Sequence, residues 1–518
     1  MNPTACLPVV ALLVLVSAAG TFSTVAKDPP RVLSRATLLD KIRGGWAGQM
    51  IGVAYGAPTE FKSNGRIGEW PLEWKPGMLE NTLQQDDLYV EMTFAKVMDD
   101  LGIDAPIEAY GEAFRTSGYH LWHANAASRR LLNLGIRPPR SGHPKYNVHA
   151  NDIDFQIEAD FIGLMCPGLP RLSNRICDRV GRVMNYGDGL YGGMFVCGMY
   201  SAAYFESDPR KVVAAGLACI PADSGYALLI RDLLEASARQ PTDWRAVWRI
   251  VQDRWDKDDP CPDGALAPFN IDARLNGAYI AFGLLFGGGD FERTMEISTR
   301  CGQDSDCNPS SAAGVLGVIL GYDRIPERFK TEFPTLGTRK FSYTDYSFED
   351  IVRSTERRAL EAIRRTGGTV ADTEVRIAAQ KPRAPRLEQW NPGKPVARVA
   401  VSDGRWTWKG NWTDRDGHKA SEQPGDEATF AFEGVAVAIV GRLDQAQGRA
   451  RIYLDDHEVG VADGYIVERT HDNALWHTYG LEPGPHTLRI EVTGEKDPRS
   501  RGTSVSPSQA IVYAPAER

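Results

Sequence analysis

The hydrophobic period of this chain changes part-way along, and no other feature limits its possible folds as much. From about Ser34 to Arg365 apolar residues recur at three- and four-residue spacing, as in ATLLDKIRGGWAGQMIGVAYG, LYVEMTFAKVMDDLG and SSAAGVLGVILGY. That is the repeat of helices with a buried face. After about Pro395 the period becomes two, in RWTWKGNW, ATFAFEGVAVAIVG, RARIYLDD and HTLRIEVTG, with turn clusters such as QPGDE and EPGP between them. That is the repeat of short strands. The pattern predicts a multidomain chain: a large all-α domain over 34–365, then a small all-β sandwich, jelly-roll-like, over 397–518. Residues 366–396 lose the helical period and gain proline, lysine and arginine, which predicts a linker.

Composition narrows the partners. The chain has 518 residues, 42% hydrophobic and 24% charged, which excludes a disordered chain and a multi-span membrane protein. Its 59 Lys and Arg against 67 Asp and Glu give a net charge of −8. No global basic field exists to gather nucleic acid, and no transmembrane partner is implied. Residues 1–26 read as a secretory signal. The apolar stretch Leu7–Val16 is too short to span a bilayer comfortably, and small residues follow at 17–19 and 24–26. The expectation is an exported protein, periplasmic or extracellular. Without Cys6 seven cysteines remain, an odd number with no C-x2-C spacing. Buried free thiols are therefore expected rather than a structural zinc site.

Glycine adds a constraint inside the first helix. Gly44, Gly48, Gly52 and Gly56 fall every four residues, on one face. Each costs a helix close to 1 kcal/mol relative to alanine. The spacing predicts close approach of a neighbouring helix or of a ligand to that face.

Two acid groups stand far apart in sequence, Gln85-Asp86-Asp87 and Asp304-Ser305-Asp306-Cys307, and each opens a helix. Taken singly, such acids are explained by capping and the helix dipole. A twelve-residue calcium loop starting at Asp304 is excluded, because Pro309 and Val315 occupy the positions that need glycine and glutamate. Four carboxylates brought into one cleft would repel by about 4 kcal/mol per pair at ~4 Å. All-oxygen ligands would then select hard divalent ions.

The order of these parts resembles the ADP-ribosylglycohydrolase family, of the dinitrogenase-reductase-activating type, over roughly residues 36–325. The resemblance implies a helical domain with two Mg²⁺ (or Mn²⁺) ions in a cleft. It implies Gln85, Asp86, Asp87, Asp304 and Asp306 as metal ligands, with Gln85 and Cys307 standing where the family carries threonine. It implies Glu60 and Asp87 as catalytic residues, Glu60 helping the attacking water. The family's Thr-His-x-Asp stretch resembles Asn185-Tyr186-Gly187-Asp188, and Leu164 falls near the position of a family arginine. Trp122, His149, Asp152, Asp154, Asn185 and Asp188 are the candidates for holding a small-molecule or sugar-containing substrate, Trp122 by stacking. The implied function is metal-dependent hydrolysis of a glycosidic bond, N-linked ADP-ribose included. An exported hydrolase of a carbohydrate or nucleoside and a non-catalytic family member stay open as alternatives. No catalytic constellation follows residue 400. Trp406, Trp408, Trp412 and Trp476 read as core before ligand platform, with carbohydrate contact through the sandwich as the other option.

Overall fold

The structure is a computed structural model that describes residues 29–256, 259–378 and 380–516. The predicted signal at 1–26 lies outside these residues. No described helix is long and apolar enough to cross a membrane.

Sixteen α-helices occupy the described part of the first 365 residues, ending with Phe348–Arg365. The body is organised around one helix pair. The helix Arg35–Gly56, capped by Ser34, whose Oγ accepts from the Thr37 amide at 2.9 Å, lies against Cys307–Leu320. A Cβ added at Gly44, Gly48, Gly52 or Gly56 would run into the backbone carbonyl of Gly317, Ala313, Pro309 or Ser305 respectively. The four-residue glycine repeat thus matches a four-residue carbonyl series running the opposite way. The approaching partner is a helix, not a ligand. Every residue from Gly44 to Gly56 of the first helix is buried, and every residue of the second but Leu320. That explains why neither has a polar stripe.

The segment expected to be a linker divides in two. Glu374–Ile377 pairs antiparallel with Arg31–Ser34 on one side and with Thr369–Val370 on the other, giving a three-stranded sheet. The helical body therefore begins and ends in the same small sheet. Residues 380–393 carry no regular structure, yet they are strapped to the body. Arg182 holds the Glu388 carboxylate with two bonds of 2.9 and 3.1 Å, and the Tyr191 hydroxyl accepts from the Glu388 amide at 2.6 Å. Charged side chains tying a strap down make it a fixed part of the body, which composition alone does not reveal.

The strands of the C-terminal region pair antiparallel, with parallel bridges only at the isolated pairs Asp444–Tyr465 and Gln447–Ser504 among the described residues. Seven strands hydrogen-bond into one network, with Glu427–Gly441 and the twenty-residue Asn473–Val492 as its long central pair. Its core includes Phe430, Phe432, Ile452, Leu488 and Ile490. Trp406 is buried and Trp408, Trp412 and Trp476 are half-buried, so the core expectation describes them. Trp406 and Trp408 stack at 5.5 Å.

This region docks on the helices through a second patch of Ala436, Ala438, Val440, Ile511 and Tyr513 against Ala265. Polar reach fixes the docking. Arg398 donates to the carbonyls of Pro262 and Asp263 at 2.7 Å each and to that of Ala265, and the Tyr513 hydroxyl donates to Pro260 O at 2.8 Å.

Candidate metal-binding cleft

The two acid groups meet. Because the glycine helix ends beside Ser305, the turn that follows it is latched to the second acid group. The Thr59 and Ser305 hydroxyls lie 2.8 Å apart, and the Phe61 amide donates to Gln303 O at 3.1 Å. Gln303, in a left-handed conformation, is pinned by accepting from the Asn270 amide at 2.9 Å and donating to Pro268 O at 2.9 Å. The helix Asp86–Leu101 brings the first group to the same point. Ligand atoms of Asp86, Asp87 and Cys307 all lie within 4.8 Å of one another, and so do those of Asp304, Asp306 and Cys307. Cys307 is thus common to both groups.

Above them is a cleft of about 230 Å³, lined by Glu60, Gln85, Asp86, Trp122, Asp154 and Asp304, among others. Trp122, at 40% exposure, stands on its rim.

Ordinary capping does not explain these acids. Asp208, Asp243, Asp272 and Asp290 each cap a helix by accepting a backbone amide of the first turn. Asp306 occupies the same position before Cys307–Leu320 and caps nothing with its side chain. Asp87, Asp304 and Asp306 are only 1, 3 and 2% exposed. Both carboxylate oxygens of Asp87, and Oδ1 of Asp304 and of Asp306, are buried with no hydrogen-bond partner. Buried carboxylate oxygens without donors are costly unless a cation serves them.

The electrostatics point the same way. Burial, followed by Asp86, pushes the Asp87 carboxyl well up, and burial with Asp304 does the same to Asp306. Asp304 is pushed up to about 7, chiefly by burial, with Glu60 and Asp86 adding to it. Glu60 is exposed as a residue, but protein crowds its carboxyl. Burial, then Asp306 and Asp86, raise it to about 8. The donor set, carboxylates with the Gln85 amide at the edge, suits a hard divalent ion. Cys307 is the exception, and burial before nearby Asp304 and Asp306 holds its thiol well above the usual range. A protonated thiol is a weak ligand for such an ion.

The candidate substrate residues separate. Trp122 and Asp154 line the cleft. The Asp154 carboxylate accepts from the Ala124 and Asn125 amides at 3.2 and 2.9 Å, at the start of the helix His123–Asn133. His149 and Asp152 are buried behind the wall, with His149 Nδ1 2.9 Å from Asp152 Oδ2. Asn185 is fully occupied. Its Nδ2 donates to Ala150 O and Asp152 O at 3.0 and 2.7 Å, and its Oδ1 accepts from Phe155 N at 3.0 Å. Asp188 accepts from the Tyr226 amide at 3.1 Å and lines a different cavity, with Arg274 and Glu388. His149, Asp152, Asn185 and Asp188 are therefore not brought to the cleft.

Sequence reasoning passes over other residues here. Glu91 lies one turn beyond Asp87 on the same helix face. It is buried beside Asp160, whose charge helps push the Glu91 carboxyl well up after burial itself. The i, i+4 spacing from Asp87 is a signal for Glu91, whereas nothing local marks Asp160. Tyr89 and His123 also line the cleft. All seven described cysteines are free and buried, as expected.

The ADP-ribosylglycohydrolase family model matches residues 34–367. A solved "ADP-ribosylglycohydrolase-related protein complex" is 17% identical over 63% of this chain and 99% of its own, with a TM-score of 0.42. A two-domain esterase active on acetylated mannans is 20% identical over 26% of this chain and 41% of its own, with a TM-score of 0.20. A family two carbohydrate esterase from Cellvibrio japonicus is 13% identical over 24% of this chain and 36% of its own, at 0.18. No curated protein matches. The family match spans more than half of the sequence and coincides with the helical body that carries the acid cleft. The chain belongs to the ADP-ribosylglycohydrolase family.

Proposed function

We propose that the protein is an exported hydrolase that uses two hard divalent ions, Mg²⁺ or Mn²⁺, to cleave a glycosidic bond, with ADP-ribosyl N-glycosides as the first substrate class to test. The observation that carries this reading is the set of partnerless, buried carboxylate oxygens on Asp87, Asp304 and Asp306, in two groups that share Cys307 beneath an open cleft. Asp86, Asp87, Asp304 and Asp306 would hold the ions, with the Gln85 amide oxygen as a further donor at the edge. When bound, such ions position a water and the substrate hydroxyls and offset the negative charge of the four carboxylates.

Glu60 stands at the mouth of the cleft with its carboxyl crowded by Asp306 and Asp86. With that repulsion offset, its carboxylate takes a proton from the attacking water while the glycosidic bond breaks and the water oxygen bonds to the anomeric carbon in one displacement. The departing group, which leaves with the electron pair of the broken bond, then receives that proton from the same carboxyl. The aspartates flanking the anomeric centre stabilise its oxocarbenium character. Trp122 on the rim offers a face on which a sugar or base can stack.

The test is a hydrolysis panel of ADP-ribosyl-arginine, ADP-ribosyl-serine, nucleosides and simple glycosides, run with Mg²⁺, with Mn²⁺ and with chelator. The expected result is ion-dependent turnover of an ADP-ribosyl substrate that falls by about 10³-fold (~4 kcal/mol) in Asp304→Asn. Turnover of nucleosides or glycosides alone would replace the substrate class and keep the site. No turnover with any substrate, together with ion binding unchanged in Asp304→Asn, would overturn the reading.

A further inference from the structure

A second group of unlike donors gathers behind the cleft wall, where the helical body meets the strand region. His123 opens the helix His123–Asn133, His149 lies in the turn before Asp154–Ile157, and Cys261 and Asp263 flank Pro262 in the loop 259–265. One donor atom of each lies within 4.8 Å of all the others. His123 Nδ1 is 3.0 Å from Asp263 Oδ2, and Cys261 Sγ is 3.3 Å from both His149 Nδ1 and Asp152 Oδ2. The His123–Asp263 separation approaches the edge of a tetrahedron built from bonds of about 2.0–2.3 Å, the range for nitrogen, oxygen and sulfur around zinc.

We propose that His123, His149, Cys261 and Asp263 form a second metal site, for a divalent ion of the zinc class, separate from the acid cleft. Their chemistry is the first argument. Burial and then Asp152 hold the Cys261 thiol well above its usual range, and His123, which burial alone would lower, is raised by Asp263 to about 9, so an ion binding here must release both protons. Two neutral imidazoles, the thiolate so formed and one carboxylate then carry a charge of −2, which a single divalent ion cancels. A donor set with nitrogen and sulfur selects zinc-like ions over Mg²⁺ or Ca²⁺.

The surroundings are the second argument. Ligating histidines usually give their other nitrogen to a carboxylate. In the tautomer that donates from His149 Nδ1 to Asp152 at 2.9 Å, the free lone pair is on Nε2, which is buried without a partner on a side chain only 1% exposed. His471 of the strand region backs Asp263, with Nε2 at 3.4 Å from its Oδ2. Cys261 is oriented by its own amide, which donates to Asp259 Oδ1 at 2.9 Å. Sequence reasoning misses the group because its members come from three segments and only Cys261-x-Asp263 has a local spacing.

The site has a positioning role. His123 lines the cleft, and the loop that supplies Cys261 and Asp263 also receives Arg398 and Tyr513 from the strand region. An ion there would hold the Trp122–His123 wall, the loop and the docked sheet in one arrangement.

The test uses the full chain, stripped with chelator and titrated with Co²⁺ in excess Mg²⁺ so that the acid cleft is saturated by the harder ion. The expected result is one Co²⁺ per chain with a thiolate-to-cobalt charge-transfer band. That band should be lost in Cys261→Ser and in His149→Gln and kept in Cys307→Ser, whose thiol belongs to the cleft. Absence of the band in the wild type, or its survival in Cys261→Ser, overturns the proposal. If Cys261→Ser loses its helical circular dichroism, zinc-edge absorption on the wild type replaces it. A shell containing one sulfur is expected, and a shell of oxygen and nitrogen alone overturns the site. Neither measurement depends on turnover, so the site stands or falls independently of the glycohydrolase reading.

Discussion

The molecule has two large internal joints, and they are built from opposite materials. Between the helices Arg35–Gly56 and Cys307–Leu320 the side chains are removed, and backbone meets backbone along four glycines. Between the helical body and the sheet the side chains are long, and Arg398 and Tyr513 reach across to loop carbonyls. The first joint has no slack, because a carbonyl cannot turn away without unwinding its helix. The second can adjust, because a guanidinium on a flexible stem can follow a moving partner. The acids near residue 305 sit at the end of the rigid joint, where a displacement of a fraction of an ångström would separate them from Asp86 and Asp87. Precision is therefore built where charges must converge, and tolerance where two folded units only need to stay docked.

That contrast can be broken at its rigid end most severely. Gly56→Ala would drive a methyl group into Ser305 O, and Gly48→Ala would drive one into Ala313 O. Each should cost about 3 kcal/mol, the upper part of the usual overpacking range, read by urea unfolding of the helical signal. If the joint also sets the cleft, Gly56→Ala should weaken Mg²⁺ or Mn²⁺ binding by about 10- to 100-fold in calorimetry, and Gly48→Ala by less. Equal ion affinity in Gly56→Ala and wild type would show that the glycines serve packing alone.

Arg398→Ala tests the compliant joint. Losing hydrogen bonds from a charged donor should cost about 1.5–3 kcal/mol, seen as earlier unfolding of the strand region, with Mg²⁺ affinity at the acid cleft unchanged. A fall in that affinity comparable to Gly56→Ala would erase the distinction between the joints.

The smallest effect concerns Lys41, whose ammonium donates to Val318 O and Ile319 O at 2.7 and 3.2 Å, at the far end of the glycine helix pair. Burial, and then Arg324, lower it from 10.5 to about 8. Between those two values the unfolded chain holds a proton that the folded chain has released. Wild-type stability should therefore rise with pH across that window relative to Lys41→Met. Stability measured at pH 8, 9 and 10 for both proteins checks the sign, and a difference that stays flat would mean that Lys41 is ionised throughout.

Much of this architecture is legible in the residues. The change of period between Arg365 and Pro395 separates helices from strands because burial on one face leaves a periodic mark. The glycine repeat announces a close approach, although Gly44 to Gly56 alone cannot say that a helix makes it. That requires the carbonyls from Ser305 to Gly317, some 260 residues away. Asp86, Asp87, Asp304 and Asp306 are legible as clusters and as a family pattern, since acids at two helix starts survive as local text. Asn185 and Asp188 show where such reading ends. Both are polar residues in glycine-rich surroundings, and both are used within the body, Asn185 on three backbone groups and Asp188 beside Arg274. Thr369–Val370 and Glu374–Ile377 are too short and too polar to read as strands. They become strands only because Arg31–Ser34 offers them an edge.

That small sheet also decides how the helical body is closed. Arg31 pairs with Ile377, so the points where the chain enters and leaves the body are neighbours. A chain of this shape is nearly a ring, and a short bridge across the gap would add little closure entropy. New termini opened at an exposed turn, with the old ones fused, should yield a circular permutant in which the acids still meet and from which the strand region can be freed or moved to a different end.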